Sequence, residues 1–164
     1  MIAQQLRTVC RSGPLVVLFL LMAACSGTAA RPDYSDHRAR VGSSQGQVAA
    51  QTALQQVGVP YRFGGQTPTG FDCSGLVHYS YDRAGKAVPR TTALLWSGTT
   101  PVATGDMQVG DVLFFSIAGK MSHVGLYLGD GRFVHAPSTG KTVSVASLSS
   151  AYYRKAFLRA GRPR

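Results

Sequence analysis

The sequence contains no glutamate. Seven aspartates carry all of its acidic charge against 17 lysines and arginines, and the formal net charge is +10. That balance suits a polyanionic neighbour such as peptidoglycan, teichoic acid or lipid headgroups, with solubility as the plainer use of much of the charge. Cysteine is scarce, with three in 164 residues. No apolar run is long enough to span a bilayer; residues 14–25, PLVVLFLLMAAC, fall well short of it. No internal repeat is present, which argues against a repeat architecture. No nucleic-acid-binding motif accompanies the positive charge, and the export expected from the N-terminal segment argues against DNA or RNA.

The short apolar run follows Arg7 and Arg11 and ends in small residues, the pattern of a secretory signal. Its LMAAC end resembles a bacterial lipoprotein signal. Residues 1–24 are then expected to be removed, with Cys25 becoming the lipidated first residue and residues 25–43 a flexible tether to the membrane. As a random coil the tether has an r.m.s. span of roughly 20–25 Å. By the same resemblance to lipoproteins and their sorting, Ser26 in place of an aspartate implies the outer membrane, facing the periplasm. An ordinary signal cut near Ala24 or Ala30, or an uncleaved anchor, is the alternative.

Removing residues 1–24 takes away Arg7, Arg11 and no aspartate, leaving 15 basic residues against seven acids, a net +8. Cys10 leaves with the signal. If Cys25 carries lipid, Cys73 is the sole free thiol, which excludes an intramolecular disulfide. An unpaired thiol in an oxidising compartment calls for an explanation.

Residues 44–164 suffice for one domain with a single core. In SSQGQVAAQTALQQVG, residues Ala50, Ala53, Leu54 and Val57 fall at helical spacing, with Ser44 as cap and Gly58 as stop. VPYRFGGQTPTG is turn-rich, and a second helix is expected from Asp72 and Cys73 to about Gly85. After residue 110 the pattern changes to short β-type runs, DVLFFSI, HVGLYLGDG, RFVHA and TVSVASL, with Asp130-Gly131 as a hairpin turn. Helices followed by a strand meander predict an α+β fold, with the helices packed on an antiparallel sheet.

Cys73 is expected in the first turn of a helix, where free N–H groups and the helix dipole lower a thiol's pKa. The N–H groups of Cys73 and Ser74 can receive an oxyanion, and Gly75 permits close approach. Asp72 also has the makings of a plain N-cap. A thiolate nucleophile needs a base, and the base an orienting group. Among four histidines, His37 lies in the tether and His78 points away from Cys73, whereas the hairpin brings His123 and His135 onto neighbouring strands. A zinc site built from Cys73, His123 and His135 is a further reading, which would lack an evident fourth protein ligand; thiol hydrolysis itself requires no cofactor, and neither metal nor cofactor is expected.

VPYRFGG, FDCSGLV, VPRTT, VGDVLFF and SHVGLYLGDGRFVHA together resemble, in order and spacing, the NlpC-type cysteine peptidases of bacterial cell walls, especially the murein endopeptidase lipoproteins. The resemblance implies a papain-like fold, Cys73 as nucleophile, His123 as general base and acid, and His135 as the orienting residue. It implies that Tyr61 lends its hydroxyl near the oxyanion and that Asp72, Ser74 and Arg90 border the peptide groove. The implied substrate is peptidoglycan, cut at the D-alanyl to meso-diaminopimelate cross-link or the γ-D-glutamyl to diaminopimelate bond, by a monomer whose regulatory partners are unknown. A non-catalytic wall-binding module and an acyltransferase remain as alternatives. The apolar stretch ALLW, residues 93–96, departs from the polar glutamine of relatives, and Trp96 is either a substrate platform or a packing residue.

Overall fold

The computed structural model describes residues 44–164. The expected signal segment and tether, with Cys10, Cys25 and His37, lie outside the described residues.

The described residues begin with α1 (Ser44–Leu54), whose buried face is Ala49, Ala50 and Ala53. Three small side chains allow this helix to pack tightly. It stops short of Val57, which is half exposed instead of completing the apolar face. The following segment lies along residues 141–143: Gly58 N–H donates to Val143 O, Val143 N–H to Val59 O and Tyr61 N–H to Lys141 O. A small hairpin, β1 (Gln66–Thr67) and β2 (Gly70–Phe71), delivers the chain to α2 (Cys73–Arg83). Leu76, Val77, Ser80 and Tyr81 form the buried side of α2, and Gly85, at φ +74°, ends the helical run.

A short helix α3 (Thr92–Gly98) follows, then β3 (Thr99–Val102), β4 (Val112–Ile117), β5 (Lys120–Gly129), β6 (Arg132–His135), β7 (Ser144–Ser147), α4 (Ala151–Ala156) and β8 (Phe157–Pro163). The six longer strands make one antiparallel sheet in the order β3-β8-β4-β5-β6-β7. The β5–β6 turn uses Asp130 at φ +52° and Gly131 at φ +69°, the mirror-image turn that suits the twist of a hairpin.

Both faces of the sheet are covered. Val112, Phe114, Val124, Leu126 and Val134 pack with Ala49, Ala53, Leu76, Val77 and Leu95 of the three N-terminal helices. Leu113, Phe115, Tyr127 and Phe133 point the other way and pack with Ala156, Ala160 and Tyr153. This two-sided burial explains why VLFF reads as a continuous apolar run without alternation.

The expected α+β architecture is present, and six elements come in addition to it: the β1 and β2 hairpin, α3, β3, α4 and β8. The C-terminal strand is interior to the sheet, between β3 and β4, although FLRAGRP carries two arginines, a glycine and a proline. Each arginine has a partner. The Arg159 guanidinium lies 3.9 Å from the centre of the Trp96 ring, and Arg162 makes a 2.8 Å ion pair with the buried Asp111.

Candidate active site

Cys73 is the first residue of α2, and Asp72 is its N-cap in extended conformation. Asp72 Oδ1 accepts the Gly75 N–H at 2.6 Å, while its Oδ2 accepts the Gly64 N–H at 3.0 Å. Arg90 grips the same carboxylate with two nitrogens, at 3.0 and 2.8 Å, and reaches Gly65 O and Gln66 as well. One carboxylate therefore joins the helix start, the glycine turn and Arg90. A Cβ on Gly75 would run into the Gly65 carbonyl, so the glycine serves close approach of the chain's own turn.

The histidines lie on the sheet face that carries Phe115 and Phe133. His123 Nε2 and His135 Nδ1 are 2.8 Å apart, with the rings nearly perpendicular. His135 Nε2 in turn lies 3.3 Å from the Tyr153 hydroxyl. Cys73 lies beside the residue that precedes His123: its Sγ is 3.7 Å from Ser122 O in β5, and 4.0 Å from Thr92 Oγ1 in α3. Because His123 spends Nε2 on His135, its Nδ1 is the nitrogen left for a reacting proton. Two ring nitrogens engaged with each other do not converge on a common ion, and among the described residues no group of three His, Cys or Asp side chains is placed to hold a metal.

Cys73, His123 and His135 open onto one cavity of about 530 Å³, with Tyr61, Lys141 and Tyr153 also in its wall. Burial pushes the Cys73 thiol above its ordinary value, and the nearby Asp72 charge acts in the same direction. Hydrogen bonding at Val124, Thr92 and Ser74 opposes them without prevailing. This corrects the expectation that the helix start lowers the thiol toward working pH: desolvation is the larger effect. Burial also lowers His123 to about 4, and burial plus the His123 charge lowers His135 to about 3. At neutral pH the resting centre is a thiol beside two neutral imidazoles.

The NlpC/P60 family pattern matches residues 58–162, most of the folded body and every residue of this site. The chain belongs to the NlpC/P60 family. It is 39% identical over 145 residues to murein DD-endopeptidase MepH of Escherichia coli K12, covering 85% of this chain and 52% of that protein. It is 37% identical over 108 residues to the gamma-D-glutamyl-L-lysine dipeptidyl-peptidase of Bacillus subtilis 168, covering 64% of this chain and 36% of that one. A crystal structure of a lipoprotein-like NLP/P60 protein from Staphylococcus aureus Mu50 superposes with TM-score 0.67 at 36% identity, over 76% of this chain and 43% of the other. The chain thus spans about half or less of the length of these relatives.

Set against this NlpC/P60 site, the expected residues divide into two groups. Tyr61 is in the cavity wall with Cys73 and both histidines, and burial raises its phenol, followed by the charges of Cys73 and Asp72. Asp72 and Ser74 are buried and bonded to each other and to Arg90, and none of these three is in the wall of this cavity. Their contacts are those of an anchor for the helix start. Trp96 is likewise a packing residue, edge-on to Phe114 and stacked by Arg159. His78, at a distance from the site, is bonded through Nδ1 to Val88 O. Tyr153 is the residue that sequence reasoning missed: AYYRKAF follows the matched blocks, and nothing local marks one of its tyrosines as a partner of His135.

Proposed function

We propose that this NlpC/P60 protein is a cysteine-type endopeptidase that hydrolyses amide bonds in peptidoglycan stem peptides or cross-links. The observation that carries the reading is the convergence of Cys73, His123 and His135 on one cavity, with His135 occupying the far nitrogen of His123. As substrate enters, His123 Nδ1 takes the thiol proton while Sγ bonds to the amide carbon. The resulting oxyanion meets the first-turn N–H groups of Cys73 and Ser74, which the helix leaves unused, and the Tyr61 hydroxyl. The C–N bond then breaks as His123 passes its proton to the leaving amine. Water, deprotonated by the same nitrogen, releases the acyl group and restores the thiol.

The similarity to a murein DD-endopeptidase favours the D-alanyl to meso-diaminopimelate cross-link, and that to a γ-D-glutamyl peptidase makes the γ-D-glutamyl to diaminopimelate bond the second reading. The proposal extends to residues 1–24 as a lipoprotein signal, Cys25 as the lipid anchor, and a monomer tethered to the outer membrane beside its polyanionic substrate. Loss of labelled-lipid incorporation in Cys25→Ala, against clear incorporation in the parent chain, tests the anchor.

Mass spectrometry of diaminopimelate-type peptidoglycan, digested by the full chain and by Cys73→Ala, tests the chemistry. Conversion of cross-linked dimers to monomers by the parent chain alone identifies the cross-link; shortened stems identify the γ-D-glutamyl bond. Equal digestion by both proteins overturns the mechanism.

A further inference from the structure

The catalytic reading above requires one sense of proton order through two histidines, and neither histidine can set that sense alone. For His123 Nδ1 to take the thiol proton, its neutral ring must carry hydrogen on Nε2 and donate it to His135 Nδ1. His135 must then carry its own hydrogen on Nε2. Only 2% of His135 is exposed, so that N–H has to find an acceptor within the protein. The structure gives it one, the Tyr153 oxygen at 3.3 Å.

We propose that Tyr153 is a positioning residue for the reaction: its phenol oxygen accepts the Nε2–H of His135 and so keeps both histidines in the tautomers that leave His123 Nδ1 bare. The inference rests on the Cys73-His123-His135 mechanism. The opposite sense, with the phenol donating to His135, would reverse both bonds and put a hydrogen on His123 Nδ1, where no thiol proton could be taken. Tyr153 can accept because its ring lines the cavity, leaving its own O–H free to point into solvent or substrate. The order persists during the reaction: an imidazolium at His123 still donates through Nε2 to His135, which still donates to Tyr153. The distance of 3.3 Å is long for a hydrogen bond at rest, and catalytic contacts of this kind tighten as charge develops.

The fold builds this placement deliberately from local pieces. Ser150 caps α4, and its Oγ accepts the N–H of Tyr153 itself at 3.3 Å, fixing where the tyrosine leaves the helix. The ring then packs edge-on to Phe133 at 5.0 Å, Phe115 at 5.5 Å and His135 at 5.3 Å. Those contacts hold the ring without the hydroxyl, so Tyr153→Phe removes one oxygen and leaves the packing in place.

The test compares the full chain, Tyr153→Phe and Cys73→Ala on one muropeptide substrate, together with ¹⁵N spectra of the histidine rings at neutral pH. The expected result for Tyr153→Phe is a kcat lowered roughly three- to tenfold, the effect of one neutral hydrogen bond, with KM unchanged. The parent spectrum should show His135 protonated on Nε2, and the variant a mixture of tautomers. An unchanged kcat with an unchanged spectrum overturns the proposal, as does a raised KM with kcat intact, which would make Tyr153 a wall residue only. Cys73→Ala is expected to be inactive whatever Tyr153 does; activity in that variant would overturn the underlying mechanism as well.

Discussion

His123 and His135 come from adjacent strands that do not place them opposite each other, yet their ring nitrogens are 2.8 Å apart. Leu126 pairs with Val134, so continuing that register sets His135 across from Gly125 and diagonal to His123. A Cβ on Gly125 would lie 2.7 Å from the Phe133 ring, 2.9 Å from Val134 O and 3.3 Å from His135 Cβ. The absence of a side chain at Gly125 is what lets His135 turn toward its partner.

Gly125→Ala is therefore expected to displace Phe133 or His135. The overpacking costs about 1–3 kcal/mol of stability. Activity should fall by more than a stability change alone explains, because the His123–His135 bond is disturbed. Urea unfolding and steady-state rates on the same preparation check both parts; a variant with parental rates would show that the close approach is dispensable.

Cys73→Ala should abolish turnover, a loss on the order of 10⁴-fold or more for a nucleophile. Cys73→Ser should behave similarly, since a serine hydroxyl is a much poorer nucleophile beside a neutral imidazole. Thermal melts of both variants should remain near the parent, because the residue is only partly buried.

His135→Asn should retain partial activity, since an amide oxygen can accept the His123 Nε2–H in place of the imidazole. His135→Ala leaves that N–H buried and unpartnered, and kcat should fall on the order of a hundredfold. Equal rates for the two variants would remove orientation as the role of His135.

Arg90 and Asp72 should have opposite effects on the thiol. Arg90→Met strips the bidentate partner from Asp72, leaving a negative charge beside Cys73 that raises its pKa further. Both members of the pair retain some solvent contact, so the stability cost is about 1–3 kcal/mol. Asp72→Asn removes the charge and should lower the thiol. The pH profile of iodoacetamide labelling is expected to shift upward in Arg90→Met and downward in Asp72→Asn; parallel shifts would contradict the electrostatic account.

The histidines also tie stability to pH. Both have folded pKa values lowered by burial, to about 4 for His123 and about 3 for His135. Above pH 6.5 neither the folded nor the unfolded chain protonates them, and they contribute no pH dependence. As pH falls below 6.5 the unfolded chain takes up protons that the folded one refuses, so stability declines until the folded values are reached. Each proton changes the folding equilibrium by about tenfold per pH unit in that window. Urea midpoints should drop between pH 7 and pH 4.5, and His135→Gln should show a shallower slope. Initial rates, taken while the protein remains folded, should persist well below pH 6.5 and decline near pH 4, where His123 becomes charged at rest.

Much of this was legible in local pattern. Asp72 as an N-cap, the second helix ending by Gly85 and the Asp130-Gly131 turn each depend on neighbours a few residues away, and each is present as expected. Elements whose existence depends on distant partners were harder to read. Nothing in FLRAGRP announces an interior strand, because its arginines are made tolerable by Trp96 and Asp111, about 50 to 60 positions away. α3 is seven residues long, too short for periodicity to identify it.

The sequence by itself determined which groups were available: one thiol at a helix start, two histidines bracketing a hairpin, an arginine and aspartate of opposite charge, and a basic surface without glutamate. Tertiary structure decided what those groups are. Packing partly buries the thiol and buries both imidazoles, and desolvation then outweighs the favourable helix start. It turns Asp72, Ser74 and Arg90 inward on each other, and it brings Tyr153 from the far end of the chain to the last open nitrogen of His135. Proximity in sequence controls backbone geometry, but desolvation and hydrogen-bond partnership depend on what lies across space, and only the assembled fold supplies that.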